Sequence, residues 1–231
     1  MIAQIKENPV IGHRGFFLSV EGIDGAGKTT VVKKIGTELT KQGYAVQIVR
    51  EPGGTLISEQ IRSILLDPDN RNLVAPAEAL LYVAARAQLV EEVIRSSLST
   101  NKLVICDRYI DSTLAYQGGG RGLDLAWLQT LNQLATGGLE PDLTLLLDLE
   151  PLEGDQRRNA RFKPNELPKD RLEEESEAFY QRVREAYLAL ARKEPKRIKV
   201  LNASKSQPEV EEKAWSLVRE ALAWHEGKRT I

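Results

Sequence analysis

Five short, mostly apolar runs are spaced along the chain and separated by segments with helical periodicity. They cover residues 16–20, 45–49, 103–106, 143–147 and 198–201. Apolar runs of this length are typical of strands buried on both faces of a parallel sheet. The pattern therefore predicts an α/β fold with a five-stranded parallel sheet and helices on both faces.

The segments between these runs repeat apolar residues three and four positions apart, which predicts helices. After the first run the repeating residues are Val31, Val32, Ile35 and Leu39. Further helices are predicted over residues 56–66, 76–98, 125–135, 174–191 and 208–224. Pro76 suits a first helical turn, and Asp124 is a candidate N-cap. Ser206 and Glu209 have the spacing of a capping box.

Length and charge narrow the class of protein. The chain has 231 residues, with 32 basic and 33 acidic residues and a net charge of −1. We expect one domain over residues 16–228, preceded by a flexible tail over residues 1–15. Because the charges balance, nothing attracts the whole chain to nucleic acid or to an anionic membrane, and we expect neither as a partner.

The same composition suggests a compartment. No apolar stretch approaches the roughly 20 residues of a membrane span, and residues 1–15 lack the apolar core of a signal peptide. The single cysteine, Cys106, excludes an internal disulfide and fits a reducing compartment. We therefore expect a cytoplasmic protein.

A glycine-rich loop separates the first apolar run from the first predicted helix and matches G-x-x-x-x-G-K-[ST]. Its residues are Gly22, Ile23, Asp24, Gly25, Ala26, Gly27, Lys28 and Thr29, followed by Thr30. In this strand–loop–helix context, backbone N–H groups at the helix N-terminus surround the phosphates of a nucleoside triphosphate. Lys28 is expected at the β- and γ-phosphates and Thr29 at Mg²⁺.

Charged residues follow the second and third predicted strands. Arg50 follows one, and Asp107 with Arg108 follows the other. Ligands of parallel α/β sheets gather at the carboxyl ends of the strands. There Asp107 could hold Mg²⁺ through water. The planar guanidinium of Arg108 suits a phosphate, and Arg50 could clamp the same group.

A basic segment follows the fourth predicted strand. Its basic residues are Arg157, Arg158, Arg161, Lys163, Lys169 and Arg171. Arg157 and Arg161 share a face if this segment is helical, while Pro164 and Pro168 interrupt it. We predict a mobile lid around residues 154–172, whose arginines neutralise charge during phosphoryl transfer.

Together these motifs resemble the thymidylate kinase family. Besides the glycine-rich loop, the runs that carry the resemblance include Leu-Leu-Tyr-Val-Ala-Ala-Arg from Leu80 and Asp-Arg-Tyr from Asp107. Two more are far more specific than the loop alone: Arg-Glu-Pro-Gly-Gly-Thr from Arg50 and Gln-Gly-Gly-Gly-Arg-Gly from Gln117. The resemblance implies a P-loop nucleoside-monophosphate-kinase-like fold and a homodimer. It implies transfer of the ATP γ-phosphoryl group to dTMP with Mg²⁺, giving dTDP and ADP for dTTP synthesis. The glycine run after Gln117 is expected to be a turn that closes the nucleotide pocket.

The resemblance also implies contacts with the sugar and phosphate of dTMP. Asp24 would contact the 3′-hydroxyl group, and Tyr116 would lie close to the sugar. Arg108, together with Arg50, would hold the acceptor phosphate.

Four further residues are implied at the thymine base. Tyr82 would stack on the ring and Arg86 would hydrogen-bond to it, from one face of a helix. Thr113 and Gln117 would line the base from the next helix.

Family members differ in where a catalytic arginine lies. Gly25 and Ala26 stand in the loop where some members carry an arginine, so the chain resembles the members with lid arginines. The lid candidates for the γ-phosphate are Arg157, Arg158, Arg161 and Arg171. We expect Arg161 to reach it, which makes Lys28, Arg108 and Arg161 the expected catalytic residues.

Two other classes stay open. One is a P-loop kinase that acts on a deoxynucleoside or on another nucleotide, which base selectivity at Tyr82 and Arg86 would distinguish. The other is a nucleotide-dependent switch, although the Asn-Lys-x-Asp motif usual in GTPase switches does not occur in the sequence.

Overall fold

The computed structural model describes residues 15–160 and 170–227, and its centre is a five-stranded parallel sheet. The strands are β1 (Phe17–Glu21), β2 (Val46–Arg50), β3 (Leu103–Asp107), β4 (Leu143–Asp148) and β5 (Ile198–Asn202). They lie in the order β2-β3-β1-β4-β5. The predicted sheet is confirmed, and each strand reaches one residue further toward its carboxyl end than the apolar pattern indicated. That added residue is polar or charged in every strand.

Helices connect the strands. They are α1 (Lys28–Lys41), α2 (Leu56–Leu66), α3 (Ala75–Leu89), α4 (Arg95–Ser99), α5 (Ile110–Thr113), α6 (Leu125–Thr136), α7 (Pro151–Asn159), α8 (Glu177–Lys193) and α9 (Gln207–Gly227). Two π-helical segments, Val90–Ile94 and Leu114–Gly120, follow α3 and α5 directly. Asp124 caps α6 as predicted, since its Oδ1 accepts from the Trp127 N–H at 2.7 Å. Of the predicted capping box, Glu209 accepts from the Ser206 N–H at 3.1 Å.

Four of the five helices predicted with bounds end or begin elsewhere. Two differ by a few residues at their ends: α6 ends at Thr136 rather than at residue 135, and α9 covers Gln207–Gly227 rather than residues 208–224. The helix predicted over residues 76–98 begins at Ala75 and is interrupted by the π-helical segment Val90–Ile94. The helix predicted from residue 174 begins at Glu177, because the Ser176 side chain accepts from the Phe179 N–H at 3.2 Å and caps it.

Alternate strand residues face two separate apolar clusters, as the pleat requires. Leu18 and Ile105 pack with α1, α8 and α9 on one face of the sheet. Phe17 and Val104 pack with the end of α3, the following π-helical segment and α4 on the other face. The sheet is therefore covered by helices on both sides, which leaves the ends of the strands as the place where polar groups can meet.

The glycine run of residues 118–120 is not the turn that the sequence predicted. It continues the π-helical segment Leu114–Gly120, which packs against α8. A Cβ atom on Gly119 would lie 2.5 Å from the Ala186 Cβ, and one on Gly120 would lie 2.5 Å from the Phe179 ring. Gly119 lies too close to the α8 backbone for any side chain, while Gly120 faces the Phe179 ring and Gly118 faces Leu125 of α6.

Two expectations fall mainly outside the described residues. The N-terminal tail lies there except for Gly15, and so do residues 161–169 of the expected lid. Among the residues that the structure describes, no helix is long and apolar enough to cross a membrane.

The contact between the glycine run and α8 makes the first prediction. Gly119→Ala should lower the free energy of unfolding by about 1–3 kcal/mol, because its Cβ atom meets the Ala186 Cβ and the Arg182 carbonyl and forces the helices apart. Urea denaturation measures the change. Gly227→Ala is the control, since its Cβ atom would meet nothing within 4 Å. Equal stability of Gly119→Ala and the wild-type protein would contradict this account of the run.

Candidate active site

The glycine-rich loop joins β1 to α1 at the carboxyl edge of the sheet. Gly25 and Gly27 have φ angles of 85° and 93°, in the left-handed region that favours glycine. A Cβ atom on Gly25 would lie 2.4 Å from the Gly154 carbonyl oxygen, so the loop passes directly beside α7. Gly27 is the N-cap of α1, and the free N–H groups of the first helical turn therefore open toward the loop.

Lys28 reaches back across this loop. Its Nζ donates to the Ile23 carbonyl oxygen at 2.9 Å and lies 3.6 Å from the Asp24 Oδ1. Burial and the nearby Arg108 charge lower the pKa of Lys28, against the opposing effect of Asp24. An anion in the loop would stabilise this buried ammonium group.

Thr29 and Asp107, the two expected metal ligands, lie together. The Thr29 hydroxyl donates to the Asp107 Oδ2 at 2.8 Å. Mg²⁺ prefers oxygen ligands and is usually held by one or two protein groups together with substrate phosphates and water. A hydroxyl and a carboxylate beside the phosphate loop fit that ion. In the described residues no cluster of three or more acidic, histidine or cysteine side chains forms a metal site by itself.

Arg108 has an unusual backbone and a fixed side chain. Its φ angle is 72°, which is strained for a residue other than glycine. Its guanidinium donates to the Gly22 carbonyl oxygen at 2.9 Å, to the Asp24 Oδ1 at 2.6 Å and to the Tyr116 hydroxyl at 3.2 Å. It also lies over the Tyr116 ring, 5.0 Å from the ring centre. The strain and these contacts together aim the guanidinium at the phosphate loop.

Asp24 shares its carboxylate between two cations. Burial works to raise the pKa of Asp24, but the Arg108 and Lys28 charges outweigh it and hold that pKa well below its usual range. Its Oδ2 also accepts from the Tyr116 hydroxyl at 3.2 Å. Asp24 is therefore ionised and links the phosphate loop to Arg108 and Tyr116.

Two adjoining cavities surround these groups. The first has a volume of about 350 Å³ and contains the loop, Lys28, Thr29 and Asp107 together with Arg50 and Arg158. The second, of about 90 Å³, is lined by five of the six residues expected at the base and sugar: Asp24, Tyr82, Thr113, Tyr116 and Gln117. The two share Asp24, Glu51, Arg62 and Arg108. Arg108 therefore lies where the cavities meet.

Arg86, expected at the base, does not line the second cavity and is fully buried. Its Nε donates to Glu51 at 2.8 Å, and its Nη2 donates to the Tyr109 carbonyl at 2.9 Å and lies 2.6 Å from Glu51. Its Nη1 donates to Thr113 at 2.8 Å and to Asn132 at 2.6 Å. These partners occupy the whole guanidinium. In this structure Arg86 positions Thr113 and Glu51, and a direct bond to a base would require it to give up a partner.

Arg50 lies in the first cavity as expected, and a second arginine that the sequence reading missed lies beside it. The Arg50 Nη2 donates to both carboxylate oxygens of Glu59 at 2.9 Å. Arg62, on α2, donates to the Pro52 carbonyl at 2.9 Å and lines both cavities. Burial and the Arg50 charge lower the pKa of Arg62. The sequence feature that could have identified Arg62 is its position one helical turn after Glu59, on the helix that follows the Arg-Glu-Pro-Gly-Gly-Thr motif.

The four arginines expected in the lid do not all line the first cavity. Arg158 lines the first cavity and donates to Tyr180 at 2.8 Å and to Asp155 at 3.0 Å. Arg157 pairs with Glu153 and faces away from that cavity. Arg171 does not line that cavity and is buried against Glu78, 2.6 Å away. Arg161 lies outside the described residues.

A third cavity, of about 410 Å³, lies on the other side of the phosphate loop and was not predicted. It is bounded by Gly27, Thr30 and Val31 of the loop and α1, by Arg157, and by the segment from Ala203 to Gln207 with Val210 and Glu211. This mixture of backbone, apolar and polar surface is typical of a small-molecule site. Because the segment has no nucleotide-binding motif, no sequence pattern predicted this cavity.

Glu21 is a further group that sequence reasoning missed. It accepts from the Tyr109 N–H at 2.7 Å, from the Ser112 hydroxyl at 2.6 Å and from the Tyr187 hydroxyl at 2.8 Å. Burial and the charge of Asp111 raise the pKa of Glu21 to about 7. Its position, as the last residue of β1 before Gly22, anchors the phosphate loop to the segment after β3.

Similar proteins are known for most of this chain. The family model described as thymidylate kinase matches residues 20–214. The chain is 52% identical to the thymidylate kinase of Syntrophotalea carbinolica over 208 residues, which cover 90% of this chain and 96% of that protein. It is 46% identical to that of Deinococcus radiodurans over 208 residues, with 90% and 98% covered.

A solved structure gives the same result for the fold. The crystal structure of thymidylate kinase from Ehrlichia chaffeensis matches with a TM-score of 0.69 at 32% identity, and the match covers 90% of this chain and 98% of that chain. This likeness confirms the expected P-loop nucleoside-monophosphate-kinase-like fold. On the family model, the relatives and the fold together, the chain belongs to the thymidylate kinase family.

Proposed function

We propose that this protein transfers the γ-phosphoryl group of ATP to dTMP, giving dTDP and ADP for dTTP synthesis. The observation that carries the proposal is the position of Arg108 in the wall shared by two cavities. One cavity is built for phosphates around Lys28, and the other is lined by Tyr82, Thr113 and Gln117. A phosphate attached to a base in the second cavity would therefore project toward the phosphate loop.

The donor nucleotide occupies the loop in this proposal. Backbone N–H groups from Gly22 to Thr30 surround the β- and γ-phosphates, and the Lys28 ammonium neutralises their charge. The third cavity, next to Gly27 and Gln207, receives the adenine. Arg158 is the described lid arginine closest to the transferring group, since it shares the first cavity with Lys28. Arg161 remains our expected lid residue at the γ-phosphate.

Thr29 and Asp107 are the residues that would hold Mg²⁺. The ion neutralises charge on the β- and γ-phosphates when bound. The pair fits this task because a hydroxyl and a carboxylate lie 2.8 Å apart beside Lys28.

The acceptor phosphate lies between Arg108 and Arg50, and Arg62 adds a third positive charge to the same wall. A phosphate monoester has a second pKa of about 6 and is mostly a dianion at neutral pH. One of its oxygens can therefore attack the γ-phosphorus without a general base, and ADP leaves. The arginines hold the two anions together and keep the attacking oxygen in line.

Thymine occupies the second cavity. Tyr82 offers a stacking surface from α3, and burial raises the pKa of its hydroxyl so that the ring stays neutral. Thr113 and Gln117 face the edge of the base, while Asp24 and Tyr116 approach the sugar. Arg86 acts on the base through Thr113, or directly after giving up a partner.

We also propose a homodimer and a cytoplasmic location. Large apolar side chains are exposed on α2, α3 and α6, which pack side by side. They are Leu56, Ile57, Ile64, Leu80, Leu125 and Leu134. An apolar surface spread over three adjoining helices is typical of a protein interface. The reduced, buried thiol of Cys106 supports the location.

The assignment of dTMP as the substrate predicts how kcat/KM varies among nucleoside monophosphates. The wild-type enzyme should show its highest kcat/KM with dTMP among dTMP, dUMP, dCMP and dGMP in a coupled ADP-release assay. Tyr82→Ala should weaken the use of dTMP by about 1–3 kcal/mol, because the base loses its stacking surface, while the KM for ATP stays unchanged. Tyr82→Phe is the matched control and should retain activity. A wild-type enzyme that prefers dGMP or dCMP would contradict the proposal.

The phosphate assignment predicts that Arg108→Lys is not conservative, because an ammonium group cannot replace the planar guanidinium. Turnover with dTMP should fall at least about a hundredfold, by analogy with the loss of a preorganised electrostatic contact. ATP binding, measured by calorimetry, should persist. Lys28→Ala should lower turnover by a similar factor, because the donor phosphates lose the ammonium group that neutralises their charge. Arg219→Lys on α9 is the control. Loss of ATP affinity alone in Arg108→Lys would move this residue to the donor site.

The dimer proposal predicts a molecular mass of two chains in size-exclusion chromatography with light scattering. Leu134→Glu, at an exposed position of α6, should shift that mass toward one chain, because a charge would be buried in the interface. Leu152→Glu, exposed on α7, is the control and should remain dimeric. A monomeric wild-type protein at micromolar concentration would contradict the proposal.

A further inference from the structure

The carboxylate of Glu78 is completely buried beside the second cavity, in the first turn of α3. Its Oε1 accepts from the Gln117 Nε2 at 2.9 Å and from the Arg121 Nε at 3.2 Å. Its Oε2 accepts from the Arg121 Nη2 at 3.0 Å and lies 2.6 Å from the Arg171 Nη2. One carboxylate thus holds two arginines and the side chain of a cavity residue.

These contacts decide which way the Gln117 amide points. Burial works to raise the pKa of Glu78, but hydrogen bonds from Arg121 and Gln117 and the charges of Arg121 and Arg171 outweigh it and lower that pKa. An ionised carboxylate only accepts hydrogen bonds, so the amide group facing it must be the NH₂. The carbonyl oxygen of Gln117 is the group left to face the cavity that Gln117 lines.

We propose that Glu78 is a specificity-determining positioning residue, which fixes the Gln117 amide as a hydrogen-bond acceptor toward the substrate base. Thymine and uracil carry an N–H at ring position 3, whereas cytosine carries an unprotonated nitrogen there. The fixed Gln117 carbonyl oxygen accepts a hydrogen bond from thymine or uracil. With cytosine it would face another acceptor, the unprotonated ring nitrogen, and both groups would be left unpaired. The inference rests on the proposed function, because it takes the second cavity as the base site.

The same carboxylate also holds the chain that borders the cavity. Arg171 donates from its Nε to the Leu65 carbonyl at 3.0 Å, and its neighbours Asp170 and Leu172 line the cavity. Arg121 donates to Glu175 at 2.5 Å. Glu78 therefore also holds this segment in place, which serves every base equally, while its effect on base selectivity passes through Gln117.

Glu78→Gln tests the inference with nearly the same shape. Arg121 Nη2 and Arg171 would attract the new side-chain oxygen to the Oε2 position, which turns the new NH₂ toward Gln117. The Gln117 amide would then rotate to accept from it and present its own NH₂ to the base. The kcat/KM ratio of dTMP over dCMP should fall at least about tenfold, with the KM for ATP unchanged.

A double-mutant cycle separates this role from general destabilisation. In a Gln117→Leu background, Glu78→Gln should leave the dTMP over dCMP ratio unchanged, because the residue through which it acts is gone. Leu128→Ala is the control. It removes a side chain packed between α3 and α6 and should lower thermal stability without changing the ratio.

Glu78→Asp keeps the negative charge but shortens the side chain, which withdraws the carboxylate from Gln117. It is the second test variant if Glu78→Gln does not fold, and it should also lower the kcat/KM ratio of dTMP over dCMP. A wild-type ratio in a folded Glu78 variant, or an equal loss in the Gln117→Leu background, would overturn the inference while the kinase assignment stands. A wild-type protein that does not phosphorylate dTMP would overturn both.

Discussion

The charge cluster of Asp24, Lys28 and Arg108 is the constraint on which the rest of the site depends. Two largely buried cations share one partly buried carboxylate, with Arg108 Nη2 2.6 Å and Lys28 Nζ 3.6 Å from Asp24 Oδ1. Such a cluster of buried charges is costly unless every group has a partner. An anionic ligand between the two cations supplies the negative charge that Asp24 alone does not. Before a nucleotide binds, the Asp24 carboxylate holds both cations in place.

The sheet holds this cluster in position. Arg50 of β2 and Val20 of β1 both pair with Asp107 of β3, so the ends of three neighbouring strands meet at one edge. Glu21 then connects the end of β1 to the backbone of Tyr109, directly after the strained Arg108. The strain at Arg108 persists because bonded neighbours on both sides fix its backbone. The glycine run lets α8 approach closely enough for Tyr187 to reach Glu21.

The sequence predicted most of the fold because buried parallel strands and amphipathic helices leave strong periodic signals. It placed the last residue of each strand outside the strand, since polar residues such as Glu21 and Asp107 interrupt the apolar run but still pair in the sheet. The glycine run was misread as a turn because glycine spacing does not distinguish a turn from a close helix contact. Only the packing against Ala186 shows the difference.

The site was predicted where a motif carries the chemistry and missed where tertiary contacts decide it. Thr29 and Asp107 are 78 residues apart in the chain and lie together as expected. The burial of Arg86 against Glu51 depends on how α3 docks, and no local pattern reports that. Glu78 and the third cavity were missed for the same reason, because each brings together elements distant in sequence, whereas Arg62 had a local signal in its place on α2.

The two cavities joined at Arg108 should be the donor and acceptor sites of one reaction. A crystal structure with an analogue that joins adenosine to thymidine through a phosphate chain would test this arrangement. We expect adenine beside Gln207, phosphates over the loop in contact with Lys28 and Arg108, and thymine against Tyr82. A thymidine group bound outside the Tyr82 cavity, or phosphates that do not touch Arg108, would contradict it.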